Sequence, residues 1–394
     1  MSTFADGRSH HVSRLDDRPV AGPLSAPGYG PVFNAGLIYQ HGVYHMFARA
    51  IRSGYRANPE FQLKPGLVDR FLDYVSDIVV LTSTDGLDYR FAYVLVPAGT
   101  DGALCFEDPR AQWVAGELVL TYTWLPPAER RPWRIGAHRL RWDGERFWLQ
   151  DGSARLLGPD GVENKDGVVF ELHDGRVALV HRIWPNMHLA VFDSLDDLWD
   201  ADNRYWNPYM AELEQHVLLA PSPGAFCVGA GAPPVATEAG LLLLFHERRG
   251  DGSYASFAAL LDPATGQVLS RLPEPILEPE LDWERTGDVN EVIFVQGAHR
   301  AGDDLYLVYG AADRYVGAAT ASVTTLLHAL IPSRESLCDK ASPTLPWEQR
   351  ATPHPELTVR RPGTGQASVG IEQVPSPVTP GRRTYSTVLN ASSL

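Results

Sequence analysis

One pattern recurs five times along this chain, and an internal repeat constrains a fold more tightly than any single motif. Each copy has a polar or Gly/Pro-containing opening, a short apolar strand, a Gly-bearing turn and a second apolar-aromatic strand. The copies read FNAGLIYQHGVYHMFARA from Phe33, EDPRAQWVAGELVLTYTWL from Glu107 and KDGVVFELHDGRVALVHRI from Lys165. The last two are GAGAPPVATEAGLLLLFHERR from Gly229 and DVNEVIFVQGAHRAGDDLYLVYGAAD from Asp288. Their turns, HG, AG, DG, AG and GDD, suit hairpins. A further strand follows each copy, and the copies start roughly 60 to 70 residues apart, room for a four-stranded sheet. Five small antiparallel sheets hide their edges best by closing into a ring. The expectation is an all-β chain forming a five-bladed β-propeller. A large sandwich or two β-domains would not predict the recurrence.

Two stretches break the pattern. Residues 52–76 insert into the first repeat, with LVDRFLDYV as a short-helix candidate. From Pro332 the chain is rich in Pro, Ser and Thr, and proline cannot continue a ladder because it lacks the donor. The expected organisation is an N-terminal extension over 1–30, a five-bladed propeller domain over 31–332 and a Pro/Ser/Thr-rich C-terminal tail over 333–394.

Composition narrows the partners. With 34 basic against 48 acidic side chains the net charge is −14, which disfavours nucleic acid and anionic membranes. No stretch approaches the ~18 apolar residues of a membrane span, and the first residues show no apolar leader. Cys105, Cys227 and Cys338 are far apart with no CxxC pair, so neither a disulfide framework nor a structural zinc site is expected, and a reducing cytoplasm fits. Nothing bears for or against a homo-oligomer.

A propeller gathers ligands where its blade-opening loops converge. The polar openings are Asn34, Glu107/Asp108/Arg110, Asn164/Lys165/Asp166, the Gly229–Gly231 loop and Asp288/Asn290/Glu291. A second set lies past the inner hairpins: Arg49, His181/Arg182, His246 and Asp313. Charges inside apolar strands are costly unless they face a shared polar cavity. Each has a plainer reading as well. Asp108 before Pro109 can start a turn, Lys165 and Arg182 have Asp166 and Glu163 as ion-pair neighbours, His246 can serve the core, and Asp313 can cap a turn.

EDPR at Glu107–Arg110, NKDGVVFELHDGRVALVHR at Asn164–Arg182, GAGAPPV at Gly229–Val235 and YGAAD at Tyr309–Asp313 stand in an order that resembles glycoside hydrolase family 130, the mannoside phosphorylases and related mannosidases. The resemblance spans roughly Asn34 to Leu330 and implies a five-bladed propeller, in agreement with the repeat count. It implies an inverting enzyme that cleaves β-mannosides, with phosphate giving mannose 1-phosphate. The general acid would be Asp108; in several members its proton reaches the bridging oxygen through a substrate hydroxyl. Phosphate would be held by Lys165, Arg182 and His246, and the glycosyl unit by Asn34, Arg49 and Asp313, with Arg110 orienting the neighbouring carboxyl groups. The implied partners are a small carbohydrate and inorganic phosphate as co-substrate, with no metal or organic cofactor.

Two positions depart from the family pattern. A lysine before the GxG loop is here Cys227, removing one positive charge, and the fifth-blade opening carries Glu291. An inverting hydrolase needs a second carboxylate as base, about 6.5–9.5 Å from the acid, so Glu291 is the alternative base of a β-mannosidase. A non-catalytic carbohydrate-binding propeller is the further alternative. Trp184 and Tyr55 are candidates for stacking on a sugar face.

Overall fold

The computed structural model describes residues 11–60, 63, 70–126 and 132–331. Five antiparallel sheets follow one another along the chain. Blade 1 holds β2 (Tyr29–Gln40) and β3 (Val43–Arg52), then β6 (Ser76–Ser83) and β7 (Arg90–Val96). Between them, β4 (Arg56–Ala57) pairs with β5 (Phe71–Leu72). Blade 2 comprises β8 (Cys105–Val114), β9 (Glu117–Leu125), β10 (Arg134–Trp142) and β11 (Phe147–Leu149), with β12 (Arg155–Leu157) also on β10. In blade 3, β13 (Lys165–Glu171), β14 (Val177–Ile183) and β15 (Asn186–Phe192) precede helices α1 (Leu195–Trp199) and α2 (Asn203–Ala211), and β16 (Val217–Leu219) completes the sheet. Blade 4 is built from β17 (Ala225–Ala230), β19 (Gly240–Arg249), β20 (Tyr254–Leu261) and β21 (Val268–Arg271), with β18 (Val235–Thr237) on β19. After α3 (Asp282–Arg285), blade 5 runs through β22 (Ile293–Ala301), β23 (Asp304–Ala311) and β24 (Tyr315–Ser322), and α4 (Val323–Leu330) follows.

The ring closes through β1 (Val12–Arg14), which pairs antiparallel with β24 and supplies the fourth strand of blade 5. Part of the expected N-terminal extension is therefore a blade strand. Three residues carry no repeat signal; what fixes them is a buried ion pair. The Arg14 guanidinium binds both carboxylate oxygens of Glu284, at 2.7 and 2.8 Å, and Tyr309 donates to the same carboxylate. The insertion also differs from expectation. Of LVDRFLDYV, residues 67–69 lie outside the described region, and Phe71–Leu72 are strand rather than helix. Tertiary contact outweighs a weak helical pattern there, since Phe71 stacks on Tyr74 with ring centroids 5.9 Å apart. The Pro-rich tail lies outside the described residues.

Packing confirms the ring independently of the ladders. Each pair of neighbouring blades encloses its own apolar cluster. Phe47 and Val80 meet Phe106 and Leu120 between blades 1 and 2, and Val119 and Ile135 meet Val169 and Leu179 between blades 2 and 3. Phe170 packs with Phe245 between blades 3 and 4, and Leu244 with Ile293 and Leu307 between blades 4 and 5. Val308 and Val316 of blade 5 join Leu37 and Met46 of blade 1. Burial of these side chains, worth about 25 cal/mol per Å², acts on every interface between neighbouring blades.

Candidate active site

The innermost strands of the first three blades share a backbone device. Asn34, Asp108 and Asp166 have φ of 44°, 51° and 55°, and at each the ladder register slips: between Phe33 and Ala35, Glu107 and Arg110, and Lys165 and Val168. Positive φ costs a residue with a Cβ roughly 1–2 kcal/mol, least for Asn and Asp. These bulges turn a short polar side chain into a cavity on the axis. The equivalent positions of blades 4 and 5 are Ala230 and Gln296.

The cavity encloses about 1020 Å³ including its open mouth, and all eight residues expected to act (Asn34, Arg49, Asp108, Arg110, Lys165, Arg182, His246 and Asp313) line it. Its first wall, from blades 1, 2 and 5, is carboxylate-rich. Asn34 Nδ2 donates to Asp108 Oδ1 at 2.9 Å, and Arg49 Nη1 approaches the same oxygen at 3.3 Å. The other Arg49 nitrogen binds Glu107 and the Tyr74 hydroxyl. Burial works against ionisation of Asp108, but Arg49, Lys165, Arg110 and the Asn34 bond outweigh it and hold its carboxyl below the usual range. Burial pushes Glu107 up, with Arg49 opposing. Asp313 is pushed up to about 7, by burial first, against Arg49 and with Asp108 and Glu107 adding to it.

The second wall, from blades 3 and 4, carries the cations. Asp166 is its hub: Arg110 Nη2 and Arg182 Nε each lie 3.2 Å from its carboxylate and His246 Nε2 lies 3.6 Å away. Burial opposes ionisation of Asp166, yet these neighbours hold it well below the usual range. Burial lowers His246 despite Asp166, so this residue offers a neutral imidazole rather than a cation. Arg110 is fully engaged, donating to the carbonyls of Asp108, Ala230 and Gly231 at 2.7–2.9 Å, and thus brackets blade 2 to blade 4. Gly231 lets blade 4 pack closely on blade 5, because a Cβ there would lie 2.3 Å from the Val295 carbonyl oxygen. Lys165 sits 5.6 Å from the Trp133 ring centroid and makes no ion pair with a described residue.

Several expectations end elsewhere. Glu291 is exposed, outside the cavity lining, in the turn before β22, where its carbonyl accepts from Tyr254 N. Trp184 is 54% exposed and outside the lining. Tyr55 does not line the cavity either, but its hydroxyl binds Asp288, which does. His181 is a core residue, bonded to Asn164 and Tyr209 at 3.1 and 2.9 Å and lowered to about 3 by burial. Cys227 lies beneath Arg182, whose Nη1 donates to its sulfur at 3.4 Å. Phe71, Tyr74, Tyr254 and Phe294 line the cavity without having been singled out; the first two come from the insertion. Among the described residues no group of His, Cys, Asp or Glu is arranged to hold a metal ion, and no helix is long and apolar enough to cross a membrane.

The raised carboxyl of Asp313 has a consequence for stability. In the unfolded chain it ionises near 4, in the folded state near 7, so the folded protein loses stability as pH climbs between those values. Asp313→Asn should raise the melting temperature by several degrees at pH 8 and by less at pH 5. Thermal unfolding at the two pH values checks it; no gain at pH 8 contradicts the assignment.

The family model of glycoside hydrolase family 130, described as beta-1,4-mannooligosaccharide phosphorylase, matches residues 10–331. The chain belongs to glycoside hydrolase family 130. It is thereby an enzyme of the glycoside phosphorylase and glycoside hydrolase class. Among its family 130 relatives, the beta-1,2-mannobiose phosphorylase of Thermoanaerobacter sp. (strain X514) is 31% identical over 318 residues, covering 78% of this chain and 96% of that protein. The 1,2-beta-oligomannan phosphorylase of the same organism is 28% identical over 321 residues, with the same coverage. In fold, the chain resembles the beta-1,2-mannobiose phosphorylase from Listeria innocua in complex with beta-1,2-mannobiose. That match has a TM-score of 0.64 at 22% identity and covers 81% of this chain and 99% of the other.

Proposed function

We propose that this family 130 cavity performs inverting phosphorolysis of a β-mannoside, a manno-disaccharide or oligosaccharide, releasing mannose 1-phosphate. The observation that carries the reading is the opposition of two walls: one carboxyl group, Asp108, held by Asn34 and Arg49, faces a wall whose Lys165 has no anionic partner among the described residues. Arg110 of blade 2 and Arg182 of blade 3 share one carboxylate, Asp166, which leaves positive charge for an anion. Phosphate held there attacks C1 as the C1–O bond to the leaving sugar breaks, and the leaving oxygen takes a proton from Asp108, directly or through a sugar hydroxyl. The proton that hydrogen phosphate gives up restores Asp108, so the balance closes without a further reagent. Phosphate is a co-substrate, and this chemistry calls for no metal or organic cofactor.

The charges around Asp108 hold its carboxyl below the usual range, so it must gain a proton to act. An anion beside Lys165 and Arg110 offsets the charges that hold its carboxyl down, which ties the acid's readiness to phosphate binding. Asn34, Arg49 and Asp313 hold the glycosyl unit in this reading, and their orphaned buried atoms, Asn34 Oδ1 and Asp313 Oδ1, are acceptors that sugar hydroxyls satisfy. Glu291, exposed and outside the lining, leaves the hydrolase alternative without its expected base. The names of the relatives favour a β-1,2 linkage and the family description a β-1,4 linkage. A panel of β-1,2-, β-1,3- and β-1,4-mannobioses assayed with and without phosphate decides both points. Equal turnover without phosphate would overturn the reading.

A further inference from the structure

A row of residues crosses from blade 3 to blade 4, starting on the cationic wall at Lys165 and Arg182 and ending outside the cavity lining at Arg248. Lys165 and Arg182 are directly paired across β13 and β14. Arg182 Nη1 then donates to the Cys227 sulfur, and Cys227 is directly paired with Arg248 across β17 and β19. Directly paired residues of antiparallel strands lie about 4.5–5.5 Å apart at Cα and share a face. Arg248 is paired in turn with Tyr254 of β20, which lines the cavity, and lies two residues beyond His246, so it shares that residue's face.

Arg248 is also unspent. Its guanidinium carbon lies 5.4 and 6.0 Å from the ring centroids of Phe226 and Tyr254. Its Nε is buried without a hydrogen-bond partner, and no carboxylate or carbonyl among the described residues binds the group. A guanidinium beside two aromatic rings with its Nε unused offers donors to a planar or tetrahedral oxyanion. Cys227 beside it is small and fully buried. By contrast, Asp166 already takes the Nε edge of Arg182 and the Nε2 of His246. The row's free charge therefore lies at its two ends, in Lys165 on the wall and in Arg248 beside it.

We infer that Arg248, which stands outside the cavity lining beside its strand partner Tyr254, is an anion-binding residue at the cavity's edge and that it holds phosphate together with Lys165. The inference rests on the phosphorolysis reading for its ligand, and on the pairing of Arg248 with Cys227 and Tyr254 for its place. Arg248 fixes the phosphate oxygens and leaves the sugar untouched, so its loss separates the two substrates kinetically.

The test compares wild type with Arg248→Gln and Arg248→Lys, using inorganic phosphate as the probe. The expected result is a KM for phosphate at least 10-fold higher in Arg248→Gln, a KM for the mannoside within about 2-fold of wild type, and partial recovery in Arg248→Lys. Calorimetric titration of phosphate into the same proteins should show the same weakening, with melting temperatures reporting that each variant is folded. Unchanged phosphate KM and affinity in folded Arg248→Gln would overturn the inference and leave phosphorolysis standing. Phosphate binding that needs Arg248, in an enzyme whose turnover ignores phosphate, would support the inference and overturn phosphorolysis. A wild-type protein that neither binds nor needs phosphate overturns both.

Discussion

Asp108→Asn should lower kcat on a β-mannobiose by about 10³-fold, within the range of general-acid contributions and equivalent to roughly 4 kcal/mol of barrier. The substitution is nearly isosteric, and an asparagine oxygen at this position still accepts from Asn34 Nδ2 and Arg49 Nη1, so the cavity keeps its shape. What disappears is the proton for the leaving oxygen. The loss should therefore shrink on an aryl mannoside whose leaving group needs no protonation. Steady-state kinetics on the two substrates, with a melting curve for the variant, checks the assignment. Near-wild-type turnover of the disaccharide contradicts it.

The second large effect concerns Asp166. Truncation to alanine leaves Arg110 and Arg182 buried with no counter-charge at 3.2 Å, and breaking a buried ion pair from one side costs roughly 3–5 kcal/mol. The damage spreads because Arg110 brackets Asp108 to the blade 4 carbonyls and Arg182 borders Lys165. Asp166→Ala should lower the melting temperature by on the order of 10 °C and raise the KM for phosphate as the wall repacks. Asp166→Asn, which keeps a hydrogen-bond acceptor, should lose less. A melting temperature within 2 °C of wild type for Asp166→Ala, a bound set by the same scaling, would contradict the role of Asp166 as the hub.

The ring was legible because hairpin spacing and blade-opening polarity are periodic, and each repeat proved to begin a blade. The cavity residues were legible for a related reason. Polar groups set into apolar strands at matching repeat positions imply a shared axis, and NAG, DPR and DGV place a short polar side chain before a small or kinked residue, as a bulge requires. Asp166 was written in that pattern, yet its place among Arg110, Arg182 and His246 is a contact between three blades that no local signal encodes. Strand β1 was missed because three residues have no periodicity, and Arg14 acquires meaning only beside Glu284, 270 positions away. The insertion misled through a weak helical spacing, whereas Phe71 and Tyr74 are held by contacts to the cavity wall. Glu291 was drawn in by its neighbours: Asp288 of the same loop faces the cavity, while Glu291 faces solvent.

The central claim is that the cationic wall holds phosphate as the nucleophile. The most direct test follows a β-mannobiose by proton and phosphorus NMR in phosphate buffer and in a phosphate-free buffer. The account predicts that α-mannose 1-phosphate and one free mannose appear together, with inversion at C1, and that the reaction stops when phosphate is withheld. Two free mannose molecules formed at the same rate in both buffers would contradict it.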